Sequence, residues 1–413
     1  MTEKNRNLLI PVFSDFHAPF MRASLKVAGC DSVSLASGAY GRTAALGLAH
    51  VNNDACFATI ITAGRAIMAM GEEKSSVDGG SSRACALPCL CPDCRSKDAP
   101  WFTQRALEGE AFEGVRVLNL LDLDENFYDD VCADLPERLA CGLVAGDIVL
   151  QLENYLAPLT LKGGLSSGKA SNELARCRTE AIFAAESGEK EAVWRAAEQA
   201  DTCARRHLNE ASSFPVIGVV GSYPAIFDSG INDGLIAKIR DEGCQAVIPF
   251  ASQLLAMICR ECGAWPRFVG AIEEMLAFLQ GDYFAPIPIN EEHSGFQDQV
   301  LPVDVATGSS FLVPGYIGLF AHRGVCDIAY ASTFACMSGH VGGSGVLRAI
   351  KKRYPELSVA PLEYDAGTSS VNQLNRLKLL ASVARERRAT RGGFASCDSV
   401  FVGESEKCEG SCD

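Results

Sequence analysis

NLLIPVFSDFHAPFMRASLKVAGCDSVSLA, residues 7–36, decides the fold class. Its opening run NLLIPVF is apolar and strand-sized. The stretch His17 to Cys30 then reads as a helix closing near Gly29, where a glycine ends the turn without steric cost. DSVSLA, from Asp31, reads as a second strand. Strand, helix and strand in this order form a βαβ start, and a helical crossover makes its two strands parallel.

The same grammar continues outward. NNDACFATIITAGRAIMAMG, residues 52–71, has a polar entry at Asn52, Asn53 or Asp54 suited to an N-cap, followed by an apolar helix expected to stop at Gly71. The span from Gly71 to Pro100 reads as loop. WFTQRALEG and VRVLNLL resume helix and strand, and residues 127–159 read as one long or broken helix. KGGLSSGKASN, residues 162–172, is Gly/Ser-rich and predicts a flexible break. Residues 172–211 are alanine-rich with charges of alternating sign, which predicts a partly exposed helical pair without chemistry. A second run begins at FPVIGVVG and passes through NDGLIAKIRDEG, QAVIPF, CDIAYAST and LSVAPLEY. The predicted fold is therefore α/β, with two doubly wound Rossmann/flavodoxin-like units and an inserted helical segment. The expected boundaries are 1–160 for the N-terminal α/β domain, 161–212 for the helical segment, 213–389 for the C-terminal α/β domain and 390–413 for a disordered tail.

Bulk composition narrows the function. The 413 residues carry a net charge of −14 and a pI near 5.0. An acidic surface repels phosphate backbones, so nucleic acid is not an expected partner. The longest apolar runs are strand-sized, and neither a membrane span nor a signal core is expected. The protein reads as cytoplasmic, where disulfides do not persist.

Eighteen cysteines then need explaining. Cys141, Cys177, Cys203, Cys244 and Cys326 sit in apolar or helical contexts and read as small buried hydrophobes. CALPCLCPDCR, residues 85–95, does not fit that reading, because four cysteines crowd one turn-rich stretch. Local zinc ligation by Cys85, Cys89, Cys91 and Cys94 is one solution, although the single residue between Cys89 and Cys91 makes tetrahedral geometry awkward. A site shared with distant cysteines is favoured. Cys56 opens a helix, Cys94 ends the loop before another, and Cys336 follows the strand DIAYAST and precedes SGHVGGSG. Loops at strand carboxyl ends line the ligand crevice of open α/β sheets. Three thiolates there suit an iron–sulfur cluster with an open iron. Gly342, Gly343 and Gly345 offer backbone amides to such a cluster or simply permit tight packing, and His340 reads as a hydrogen-bonding neighbour. Ser369 and Asn372, in DAGTSSVNQLNRLK, either line the crevice or form a solvated helix front. The chain shows no HExxH, and no Ser/His/Asp arrangement stands out.

IPVFSDFHAPFMRASLKVAGC, HVNNDACFATIITAG, CPDCRSKDAPWFTQRAL, FPVIGVVGSYPAIF, GHVGGSGVLRAIKKRYP and LEYDAGTSSVNQLNRLKLL together resemble the dehydratase-like part of the 2-hydroxyacyl-CoA dehydratase and benzoyl-CoA reductase superfamily. More closely, they resemble its activase-associated branch. The resemblance spans nearly all of the first 385 residues. It implies α/β domains around an iron–sulfur cluster, of 4Fe–4S or double-cubane type. It also implies an ATP-hydrolysing partner of the actin and sugar-kinase fold that delivers low-potential electrons. It assigns Cys56, Cys94 and Cys336 as cluster ligands, with Cys91 as a replacement or supplement for Cys94. The implied chemistry is radical dehydration, or reduction, of an acyl-CoA or other small substrate in an anaerobe. SKDAPW stands where the family carries Asn-Tyr after CR, and Cys85, Cys89 and Cys91 are not general to it. Alternatively, the chain is an electron-transfer or scaffold subunit without turnover of its own, or a zinc-stapled α/β protein.

Overall fold

The computed structural model describes residues 7–11, 14–27, 33–36, 41–74, 83–87, 94–110, 112, 114–119, 134–162, 165–261, 263–279, 291–302 and 312–390. The first half contains β1 (Asn7–Pro11), α1 (Ala18–Val27), β2 (Val33–Ala36), α2 (Arg42–Leu48), α3 (Phe57–Lys74), β3 (Arg83–Leu87), α4 (Ala99–Gly109) and β4 (Arg116–Asn119). Three long helices follow: α5 (Leu135–Leu161), α6 (Leu165–Ser187) and α7 (Lys190–Arg206). The second half contains β5 (Val216–Gly221), α8 (Leu235–Asp241), β6 (Gln245–Val247), α9 (Ala251–Glu261), α10 (Pro266–Phe278), α11 (Glu291–Asp298), α12 (Leu312–His322), β7 (Asp327–Thr333), α13 (Leu347–Arg353), β8 (Ser358–Tyr364) and α14 (Ser370–Thr390).

The architecture is α/β. Two four-stranded sheets have the orders β2-β1-β3-β4 and β6-β5-β7-β8, and every pairing is parallel. Each sheet thus reverses its direction of growth between its two central strands. β7 is buried at all seven positions, as a strand covered on both faces must be, and its one charged residue, Asp327, pairs with Arg387 at 3.0 Å.

The span 71–100 is not all loop. Residues 83–87 form β3, in which Cys85 pairs with Leu9 of β1 and Val117 of β4. A four-thiol zinc knot would have to draw one ligand from a central strand. Cys89 and Cys91 lie outside the described residues, as does the tail from residue 391. The flexible break expected at 162–172 is mostly helix. α6 starts at Leu165, Ala170 is fully buried, and the Ser167 hydroxyl donates to the Thr160 carbonyl at 2.5 Å.

Contrary to the expectation that no span is membrane-like, α5 is long and apolar enough to cross a bilayer, by length and composition. Its most apolar window is 94% buried, because α1, α6, α7, β6, α8, α9 and α10 all pack on it. Its polar residues are bonded outward. Gln151 donates to the Ile248 carbonyl at 3.0 Å, and Asn154 accepts from Arg240 at 2.9 Å. Asp147, Gln151 and Asn154 recur at helical spacing, so one polar stripe of α5 bonds to the second half.

Candidate functional site

Cys56, Cys94 and Cys336 each sit immediately before a helical segment. The Cys56 carbonyl accepts from Thr59 at 2.8 Å and Ile60 at 3.2 Å, so Cys56 itself, rather than Asn52, Asn53 or Asp54, occupies the cap of α3. Its sulfur accepts the amide hydrogen of Ala58. Cys94 has extended backbone and heads a 3₁₀ turn, Arg95–Asp98, that runs into α4, and its sulfur accepts from the Ser96 amide at 3.4 Å. The Cys336 sulfur accepts from the Gly339 amide at 3.3 Å and lies 3.4 Å from the Ser338 hydroxyl. Amide donors at such starts favour negative charge, so each of the three sulfurs has one local contact that opposes the effect of burial.

Packing brings these starts to one region. α2 and α3 cross in backbone contact: a Cβ on Gly64 would lie 1.8 Å from the Thr43 carbonyl oxygen, and one on Gly47 2.0 Å from that of Ile60. Only glycine permits this approach, which fixes α3 and its cap. Arg95 donates to the Asp54 carbonyl at 2.8 Å, tying the Cys94 turn to the Cys56 turn. Across the halves, the Phe57 amide donates to the Phe334 carbonyl at 3.2 Å. The Cys56 sulfur lies 3.9 Å from the Thr333 hydroxyl at the end of β7. Between β7 and Cys336, Ala335 holds φ at +56°, an uncommon conformation for a side chain, which turns the chain toward the site.

The thiols sense one another. Burial pushes Cys56 up to about 11, and negative charge on Cys336 and Cys94 adds to the shift, against the Ala58 amide and Thr333 hydroxyl. Burial likewise raises Cys336, opposed by Ser338 and Gly339, while charge on Cys94 raises it further. All three side chains are at least nine-tenths buried. A zinc ion bonded at about 2.3 Å holds tetrahedral sulfurs about 3.8 Å apart. Among the described residues, one group of three ligand atoms lies within 4.8 Å of one another, and it is not this one. The three sulfurs are therefore close enough to interact but spaced more widely than the ligands of a single zinc ion.

The glycines after Cys336 serve packing. A π-helical turn spans Gly339–Gly343, and a Cβ on Gly343 would sit 2.0 Å from the Tyr330 hydroxyl oxygen. That hydroxyl donates to the Gly339 carbonyl at 2.5 Å. Gly342 is buried in the same turn, and a Cβ on Gly345 would approach the His340 carbonyl at 2.9 Å. The amide that reaches the Cys336 sulfur is that of Gly339, one turn earlier than Gly342, Gly343 and Gly345. The His340 ring is half exposed and lies 3.5 Å from a Glu363 carboxylate oxygen. Ser369 is exposed, and its carbonyl receives the Asn372 and Gln373 amides at the entry to α14. Asn372 is exposed on that entry. Cys91 lies outside the described residues.

Sequence inspection missed a buried Ser/His/Asp arrangement nearby. The Ser14 hydroxyl lies 2.5 Å from His17 Nδ1, and His17 Nε2 lies 3.0 Å from Asp147. Asp147 also accepts the Ala251 amide at 2.7 Å and the Ser252 amide and hydroxyl at 2.9 and 2.6 Å. With Ser14, His17 and Asp147 buried and Gly146 packed on the imidazole, this network caps α9 and locks α1 to α5. Its one sequence signal is an acidic residue in the apolar run CGLVAGDIVL. A second internal tie is Arg65 of α3, fully buried and bidentate on Asp228 at 2.7 and 3.1 Å. No family model matches the chain, and no curated protein does.

Proposed function

We propose that the chain is an iron–sulfur protein whose cluster is held by Cys56, Cys94 and Cys336 between two doubly wound units. It receives low-potential electrons from an ATP-hydrolysing actin-fold activase. The observation that carries this reading is the convergence of three buried, amide-capped sulfurs from three helix starts on both halves. The strand orders support the doubly wound description, since each sheet reverses beside the strand that precedes Cys94 or Cys336.

When bound, the cluster supplies one-electron transfer at low potential to a bound acyl-CoA or similar small substrate, for dehydration or reduction. The chain's own residues set its surroundings. Burial around Cys56 and Cys336 excludes water, and the Ala58, Ser96 and Gly339 amides donate to the sulfurs and partly offset the cost that burial places on their charge. Ser369 and Asn372, exposed at the start of α14, are assigned to the polar wall of the substrate crevice. Nine cysteines among the described residues are buried, which suits small apolar side chains kept reduced in the cytoplasm.

The test is iron, acid-labile sulfide and zinc content after anaerobic purification and reconstitution, for the wild-type chain and a Cys56→Ala, Cys94→Ala, Cys336→Ala variant. Iron and sulfide that vanish in the variant are expected. Iron-free wild-type protein, or iron retained by the variant, overturns the proposal.

A further inference from the structure

The helical pair α6–α7, expected to carry no chemistry, holds a second cluster of metal-ligating side chains. Glu173 and Cys177 are one turn apart on α6. Cys203 on α7 and His207 just past its end have the same spacing. Residues four apart lie on one helix face, and the two faces meet. His207 Nε2 lies 3.0 Å from Glu173 Oε2, and the Cys203 sulfur lies 3.8 Å from the same oxygen. One ligand atom each from Glu173, Cys203 and His207 lies within 4.8 Å of the others. The Cys177 thiol hydrogen-bonds that of Cys203 from the next turn of α6. Cys177, Cys203 and His207 are buried, and Glu173 closes the rim at 15% exposure.

We infer that Glu173, Cys203 and His207 form a binding site for one divalent zinc-like ion, independent of Cys56, Cys94 and Cys336. A thiolate, an imidazole and a carboxylate make a borderline-soft donor set of the kind that zinc prefers, and three protein donors leave the fourth tetrahedral position to water. One thiolate and one carboxylate balance a divalent charge, and Arg206 stands 3.5 Å from Glu173 Oε1 on the outer side. The His207 hydrogen bond already holds the Glu173 carboxyl below its usual range, against the effect of burial. Binding exchanges the Cys203 thiol proton for the metal, so loading releases a proton. The ion also has a packing rationale. α7 faces its neighbours mainly through Val193, Ala196, Ala197, Ala200 and Ala204, which bury little area each.

Cobalt(II) titration of the full reduced chain, stripped of metal under anaerobic conditions, tests the site. One equivalent is expected to give the visible bands of tetrahedral cobalt with thiolate charge transfer in the near ultraviolet, and zinc is expected to displace it. Cys203→Ser should remove the charge-transfer intensity and weaken binding by at least ~10-fold, since losing outer-shell partners alone costs about that much. Cys56→Ser should leave those bands unchanged. Wild-type protein without tetrahedral cobalt bands overturns the site and needs no variant to fold. Bands lost in Cys56→Ser yet kept in Cys203→Ser overturn it equally. Iron content at the other cysteines is read separately, so failure of one assignment does not imply failure of the other.

Discussion

Asp228→Asn is the most informative single change to the frame around the three thiols. Asp228 follows β5 in the second half and pairs with Arg65, about two and a half turns along α3 from Cys56. Both side chains are fully buried, and the carboxylate also accepts the Gly230 amide at 2.9 Å. With N···O contacts of 2.7 and 3.1 Å, the charges attract by on the order of 6 kcal/mol at an effective dielectric near 20. Desolvating both ions costs several kcal/mol each and cancels most of that gain. The intact pair is therefore close to neutral against an apolar replacement, whereas removing one charge strands the other. Asp228→Asn keeps shape and removes charge, so a loss of about 3–5 kcal/mol is expected. Urea unfolding of the reduced metal-free protein measures it. In an Arg65→Met background the same substitution should cost less than about 1 kcal/mol, and the double-mutant cycle isolates the coupling. Since the pair joins α3 to the second half, Asp228→Asn should also lower iron retention. A cost below about 1 kcal/mol in the wild-type background, or one unchanged in the Arg65→Met background, refutes the reasoning.

Other perturbations give separate readouts. Gly343→Ala would drive a methyl into the Tyr330 hydroxyl, so reconstituted iron and thermal stability should both fall, with partial recovery in Gly343→Ala/Tyr330→Phe. The Cys56 thiol has an ordinary value of 9.0 and is raised to about 11 in the fold. The stability this confers is fully present below pH 9 and is lost as pH rises through about 11. At about 1.4 kcal/mol per unit this amounts to roughly 3 kcal/mol, so Cys56→Ser should flatten that part of the metal-free protein's alkaline stability curve. Asp147→Ala leaves the α9 amides and His17 without their acceptor, and urea unfolding should show a loss of about 3 kcal/mol or more.

The sheets were legible in the sequence because parallel strands advertise themselves. NLLIP, VIGVVG and DIAYAST are short apolar runs bounded by turn residues, and each became a strand. β3 was hidden because RACAL is short and its one cysteine, Cys85, reads with Cys89, Cys91 and Cys94 as a ligand cluster. The first turns of α6 were hidden because glycine and serine suggest coil, whereas tertiary packing on α1 and α5 overrides that weak local preference. That Cys56, Cys94 and Cys336 each precede a helical turn was legible locally, although Cys56 follows α2 rather than a strand and the strand before Cys94 was read as loop. Their meeting depends on contacts such as Phe57 with Phe334, which no local pattern encodes. The Glu173–His207 cluster was legible as two four-residue spacings, but only with knowledge that the two helices lie face to face.

The burial of α5 has a consequence for how the chain is made. On the ribosome, its 27 residues emerge before β6, α8, α9 and α10, which pack on it in the folded chain. Until more than a hundred further residues have been translated, a segment with the length and apolarity of a membrane anchor stands incompletely covered. During that interval its fate is contested between holding chaperones, which shield it, and the membrane-insertion machinery, which sorts nascent segments by the same hydropathy.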